Sequence, residues 1–393
     1  MLSEIKKLAL DIHNELIATR RYLHTHPELS FQEYNTAGYI KRQLDKIGIP
    51  WKSLATTGIV GIIEGEKKSE KVIALRADID ALPITESNTC DYASISNGVM
   101  HACGHDAHTA SLLGTAKILH TLKDKFGGTV KLIFQPGEEK LPGGASLMIK
   151  EGVLDNPKPQ GVIGQHVSPM VNVGQIAIRK GKFMASMDEI TMVVSGKGGH
   201  GAQPHLNIDP VMIAAQILVA LQQIVSRKAK PALPTVLSFG KIIADGAFNV
   251  IPNSVYLEGT FRTMDEAWRL EAHRQIIKMA TTIAEGMGGH CEVNISRGYP
   301  FLINEEKLSD EIRMCAEEYV GKENVLDADI WMAAEDFAYY SQQADSCFNL
   351  LGIANMEKGI SSSLHTPTFD TDEDALIIGS GLMAYLAVKK LGN

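Results

Sequence analysis

The stretch "HTASLLGTAKILHTLKDKFGGTVKLIFQP", residues 108–136, decides the fold. Its first part carries apolar residues at helical spacing and closes on Gly127 and Gly128, the stop expected at a helix C-terminus. Its second part, "TVKLIFQP", is a short β-branched run ending in a proline, as a buried strand reads. "KVIALRADI", residues 71–79, is another such run on the N-terminal side of the helix. Strand, helix and strand in that order predict an α/β domain with a mostly parallel sheet and helices on both faces. In such sheets functional residues gather in loops beyond the carboxyl ends of the strands. "RADIDALP", "HACGHD" and "QPGEE" fall where that rule puts them.

Further along, from about Ala185, the pattern changes. "MDEITMVVSG" reads as a strand, "DPVMIAAQILVALQQIVSR" as a helix, and "TVLSFGKII" and "SVYLEGTFRT" as strands. "DEAWRLEAHRQIIKMATTIAEGMG" reads as a helix and "HCEVNISRGYP" as a strand. This β-α-β-β-α-β order predicts an inserted ferredoxin-like α+β domain over residues 184–298. Residues 1–183 and 299–393 then form a discontinuous catalytic domain. Two linkers suit the insertion to closure as a lid, and its free sheet edge offers a dimerisation surface.

The whole-chain properties narrow the function classes. A chain of 393 residues is long for one core, in keeping with two domains. The net charge of -8 argues against a nucleic-acid partner. No uninterrupted apolar run approaches the ~18 residues needed to span a membrane, so no membrane role is expected. Residues 1–30 carry charges throughout and read as an amphipathic helix ending near Pro27, not as a signal peptide. Cys90, Cys103, Cys291, Cys315 and Cys347 are too scattered for a disulfide framework. A cytoplasmic protein is expected.

Chemistry concentrates in "VMHACGHDAHTA", residues 99–110, which holds His101, Cys103, His105, Asp106 and His108. If residues 99–105 are extended, alternation puts His101, Cys103 and His105 on one side. The dipole of the helix that follows would favour a thiolate in this loop. In "FQPGEEKLPGG", Glu138 and Glu139 are adjacent, so their side chains diverge. One could bind a metal while the other reaches its water as general base; alone, the pair reads as a solvated acidic turn. His166 in "VIGQHVSP" and His365 in "SSSLHTPTFD" would each pass singly for a structural histidine.

Taken together, these residues resemble the aminoacylase/carboxypeptidase metallopeptidases nearly end to end. The nearest branch is the amidohydrolases that include hippurate hydrolases, auxin–amino acid hydrolases and N-acyl-amino acid deacetylases. The resemblance is carried by "RRYLHTHPELSFQEYNTA", "RADIDALPITE", "MHACGHDAHTA", "QPGEE", "GGHGAQPH", "NVIPNSVYLEGTFR", "AAEDFAYY" and "LHTPTFDTDEDAL", in the family's order and spacing.

The resemblance implies a centre for two divalent metal ions. Cys103 matches the bridging ligand, where distant relatives have Asp. His105 and His166 match the remaining ligands of one metal, and Glu139 and His365 those of the other. Glu138 matches the general acid/base and Asp78 a carboxylate behind the site. Arg76 stands where distant relatives have a metal-binding His, while His101 and His108 are supporting neighbours. His200 matches a residue that stabilises the oxyanion, often across a dimer, and Asn249 and Arg262 match residues that contact substrate. The implied activity is hydrolysis of N-acyl amino acids by a homodimer. Alternatives are a dipeptidase or carboxypeptidase, an N-acetyl-diaminopimelate deacetylase, and a catalytically silent metal-binding protein. A thiolate with imidazoles suits zinc, and the carboxylate keeps manganese, cobalt and nickel open. Two departures lie beside the site: "PGEEKLPGGA", with Gly137 and residues 140–142, replaces the commoner "PAEEGGGGA", and Gln165 stands where a smaller residue or Leu is usual.

Overall fold

The computed structural model describes residues 1–392, which divide into two compact units. Unit 1 is built from Met1–Phe183, Ile303–Ile330 and the chain from Asp336 onward. Unit 2 is built from Met184–Leu302 and Trp331–Glu335.

The elements of the first segment are α1 (Leu2–Asp11), α2 (His13–Thr25), α3 (Tyr34–Ile47), β1 (Trp51–Leu54), β2 (Gly58–Glu64) and β3 (Lys67–Asp78). They continue with α4 (His105–Thr121), β4 (Gly127–Gln135), α5 (Gly144–Lys150), β5 (Val162–Asn172), β6 (Ile176–Ile178) and β7 (Gly181–Met184). Unit 2 then contributes β8 (Asp188–Ser195), β9 (Gly199–His200), α6 (Pro210–Gln223), β10 (Thr235–Ile243), β11 (Val250–Ile251), β12 (Ser254–Thr263), α7 (Glu266–Gly286) and β13 (His290–Arg297). The chain closes with β14 (Leu302–Asn304), α8 (Glu306–Val320), β15 (Val325–Asp327), α9 (Ala338–Ser341), β16 (Ser346–Ala354) and α10 (Ala375–Leu391).

Unit 1 is a mixed α/β structure around one eight-stranded sheet of order β1-β2-β4-β3-β5-β16-β6-β15. The central strands β4, β3, β5 and β16 run parallel, as do β6 and β15. The antiparallel pairings are β1 with β2, β2 with β4, and β16 with β6. All nine residues of β16 are buried, which is why it reads as an unbroken apolar run and not as an alternating one. Helices α4 and α10 pack on each other and on β3. Fourteen of the 17 residues of α4 are buried, so its surroundings leave little room for a solvent face. The N-terminal segment differs from the single helix its periodicity suggests: α1 and α2 are separated at Ile12, where ψ is 3° and the helical backbone is interrupted.

Unit 2 holds an antiparallel sheet of order β10-β12-β8-β13, with α6 and α7 packed against it. Burial alternates along β8, because Ile190, Met192 and Val194 face the helices while Glu189 and Val193 point away. A buried ion cluster closes one end of this sheet. Asp188 accepts from Arg269 Nε at 2.9 Å and from His273 Nε2 at 2.7 Å. Arg269 Nη2 also donates to the carbonyls of Met187 and Gly298, next to the start of β8 and the end of β13. Helix α6 continues through a π-helical turn, Ile224–Lys228. The combined element is long and apolar enough to cross a membrane, yet a third of it is buried, with Ile213, Ile217, Leu221 and Ile224 in the core of unit 2. One buried face of this kind is what a helix laid on a sheet shows.

Candidate metal centre

The centre is assembled at the carboxyl ends of the parallel strands of unit 1. Asp78 pairs with Gln135 and Arg76 with Gly164, so Asp78, Gln135 and His166 come to one level. The loops leaving β3 and β4 supply Cys103, Glu138 and Glu139, and a loop before α10 supplies His365. The segment around Cys103 is not an extended strand as alternation suggests. Gly104 has φ 83°, and a Cβ there would lie 2.4 Å from Val167 Cγ2, so only glycine makes this turn. The turn starts α4 at His105 and interrupts the extended alternation between Cys103 and His105.

Two groups of donor atoms share one member. Cys103, His105 and His166 offer atoms within 4.8 Å of one another, and so do Cys103, Glu139 and His365. Cys103 Sγ lies 3.5 Å from His166 Nε2 and 3.3 Å from His365 Nε2, and His365 Nε2 is 3.2 Å from Glu139 Oε1. The other nitrogen of each buried histidine is anchored. His105 Nδ1 lies 2.9 Å from the Asp80 carbonyl oxygen, and His166 Nδ1 donates to the Val167 carbonyl at 2.7 Å. Such anchoring fixes the ring and presents Nε2 as the ligating atom. His365 takes a left-handed backbone, φ 60°, an unusual state for a side chain with a Cβ.

His105 Nε2 and Glu139 Oε1 are buried and form no hydrogen bond, which a cation beside each would remedy. Cys103 is equally suggestive. Burial, with Glu139, Glu138 and Asp78 around it, pushes its thiol well above the ordinary range. Without a cation, three carboxylates and desolvation outweigh the dipole of α4. Only a cation reverses that balance, so the donor set fits divalent metal and not a cysteine nucleophile. Burial opposes charge on His105, but Asp78, Asp80 and Glu139 push its pKa up to about 10, a further mark of concentrated negative charge.

The surroundings explain the remaining residues. Asp78 accepts from His108 Nδ1 at 2.6 Å and from Arg76 Nη1 at 2.7 Å. His108 Nε2 accepts from the Val167 amide at 2.8 Å, so both ring nitrogens are occupied and neither can ligate. His101 is fully buried without a hydrogen bond, and burial lowers its pKa to about 4. Glu138 is 6% exposed, and the Asp336 amide lies 3.4 Å from its Oε1. Gly137, one of the sequence departures, has φ 58°, and a Cβ there would lie 2.3 Å from the Phe31 ring. The ring occupies the space that an alanine methyl would need.

Sequence reasoning missed Asp80, Asp336 and Arg20. Asp80 accepts from Ser30 Oγ and the Glu139 amide and faces His105 Nδ1; its position two residues after Asp78 was the available signal. Arg20 is wholly buried and donates to Asp106 at 2.8 Å and to Asp370 at 2.7 Å. It thereby ties the first turn of α4 to the loop after His365. In unit 2, His200 pairs with Val250 between β9 and β11, and the Gly201 amide donates to the Asn249 carbonyl at 2.8 Å, so His200 and Asn249 are neighbours. Arg262 is elsewhere in that unit, half-buried on β12, with Nη1 donating to the Met332 carbonyl at 3.1 Å. Gln165, the other departure, is buried with its Oε1 without a partner.

Comparison with known proteins follows the same lines. The model of peptidase family M20/M25/M40 matches residues 74–389. An N-acyl-L-amino acid amidohydrolase of Geobacillus stearothermophilus is 44% identical over 302 residues, 77% of this chain and 81% of that one. A thermostable carboxypeptidase of Saccharolobus solfataricus is 37% identical, covering 99% of this chain and 98% of its own. Among solved structures, a Bacillus subtilis protein described as a dinuclear metal binding peptidase of the M20 family superimposes with a TM-score of 0.83 at 35% identity, over 97% of this chain and 99% of that one. With a family match that runs through both units and identity sustained along nearly the whole chain, this protein belongs to peptidase family M20/M25/M40.

Proposed function

We propose that the protein is a metal-dependent amidohydrolase that cleaves N-acyl amino acids to a carboxylate and a free amino acid. The observation that carries this reading is the pair of donor groups sharing Cys103, with the carboxyl of Glu138 beside them. Cys103, His105 and His166 hold one ion, and Cys103, Glu139 and His365 hold the other. When bound, divalent ions supply Lewis acidity toward water and the amide carbonyl. Glu138 takes the proton of the attacking water and later returns it to the departing amine. Asp78 keeps His108 and Arg76 in place behind the centre. His200 donates to the developing oxyanion, and Asn249 orients the substrate. Arg262 binds the substrate's α-carboxylate; its guanidinium is half-buried with a carbonyl as hydrogen-bond partner, and burial lowers its pKa, so an incoming carboxylate finds a weakly hydrated cation.

The ion is zinc or manganese, with cobalt and nickel as the other candidates. The protein works as a cytoplasmic homodimer, with residues 184–298 serving as lid and dimerisation domain. Support for the dimer is the exposure of Ile242 and Ile243 on the outermost strand β10, and of Met212 and Val219 on α6. A second reading, a carboxypeptidase with the same chemistry on a peptide bond, draws on the name of the Saccharolobus relative.

The test is a panel of N-acetyl and N-benzoyl amino acids and dipeptides, run on protein stripped by chelator and reloaded with each metal. Turnover of N-acyl amino acids that disappears on chelation and returns on reloading is expected. Turnover confined to dipeptides would select the second reading, and activity indifferent to chelation would overturn both.

A further inference from the structure

The motif "AAEDFAYY" carries Asp336, a side chain with no exposed surface in unit 1. Its carboxylate accepts from Arg76 Nη2 at 2.9 Å and from Gln135 Nε2 at 2.8 and 2.9 Å. It also accepts from the backbone amide of Ala145 at 2.9 Å. Gln135 is the last residue of β4 and Ala145 lies in the first turn of α5. Between them runs the loop that carries Glu138 and Glu139. One carboxylate therefore pins both ends of that loop, while its own backbone amide lies 3.4 Å from Glu138 Oε1.

Arg76 extends the arrangement. Its Nη1 donates to Asp78 and its Nη2 to Asp336, while Nε donates to Gln135 at 2.9 Å. A planar guanidinium holds its nitrogens in fixed relation. It therefore sets the separation between Asp78, which backs the imidazoles, and Asp336, which backs the Glu138 loop. Buried charges are costly to leave unpaired, so three interlocked charges with no exposed side-chain surface define one geometry and resist alternatives.

We propose that Asp336 is a positioning residue for proton transfer, holding the Glu138 carboxyl in register with the donor cluster through the Arg76 fork and the two ends of the 136–143 loop. The proposal rests on Glu138 being the acid/base. The hydrogen bonds of its carboxylate run to Arg76, Gln135 and the Ala145 amide, behind the Glu138 loop, so its loss should slow the proton-transfer step and spare binding.

Asp336→Asn keeps the shape but turns one acceptor into a donor, facing groups that are themselves donors. Expected is a fall in kcat of ~10- to 100-fold with KM within ~3-fold and metal content unchanged. The deciding measurement is the double-mutant cycle with Glu138→Gln: once the acid/base is gone, Asp336→Asn should cost less than ~2-fold more. An equal loss in both backgrounds, a loss of metal, or an unchanged kcat would overturn the proposal. Wild-type turnover in Glu138→Gln alone would instead overturn the assignment of Glu138. If Asp336→Asn does not fold, Gln135→Met takes its place, removing a neutral partner of the same carboxylate. A kcat loss of ~3- to 10-fold with the same non-additivity is expected, and purely additive losses would overturn the proposal.

Discussion

At Cys103, burial and three neighbouring carboxylates all oppose ionisation of the thiol, yet His166 and His365 turn their Nε2 atoms toward its sulfur. A cation resolves this conflict, since it stabilises the thiolate against the surrounding carboxylates and draws the imidazoles inward. Cys103→Ala should therefore release at least half of the bound divalent metal, read by elemental analysis after gel filtration, and lower turnover by ~100-fold or more. Full metal content with normal turnover would remove the shared-ligand role. The residues of this centre were unevenly legible. Cys103 and His105 stand two apart, and adjacent Glu138 and Glu139 closely follow a strand, so short spacings betray them. Asp336 does not show, because its partner Arg76 is 260 residues away. His101, read as a supporting neighbour, is buried beside the centre without a hydrogen bond.

Among the elements, the strands of the central sheet were the most legible. "KVIALRADI" and "TVKLIFQP" are buried on both faces in β3 and β4, so composition alone marks them. The edge strand β1 escaped notice because it is only four residues long and none of them is buried. Trp331–Glu335, which join unit 2, are too few to carry a period. In unit 2 the cluster at the end of β8 yields a test of its own. Burial works against ionisation of Asp188, but His273 and Arg269 hold its carboxyl below the usual range. A carboxyl lowered in the folded state stabilises above its unfolded pKa of ~3.9 and loses that contribution as pH falls. Asp188→Asn should thus destabilise unit 2 by about 3 kcal/mol at pH 7. The gap to wild type, followed by urea denaturation, should narrow below about pH 4. A gap that stays constant down to pH 3 would show that the cluster's charge contributes nothing.

For the molecule as a whole, the exposed apolar residues of β10 and α6 bear on assembly. A sheet edge with Ile242 and Ile243 in solvent is a template for pairing. Light scattering should find a dimer, and Ile242→Lys should shift it to monomer; a monomeric wild-type protein at micromolar concentration would remove the dimer. The division into units has another consequence, one of time. Unit 2 is nearly continuous in the chain, whereas unit 1 needs the buried β16 and α10, which come from its far end. A ribosome therefore finishes unit 2 while the strands β3, β4 and β5 still lack their last partners. The half that begins first is the half that closes last, and its apolar strands stay exposed throughout the synthesis of the other.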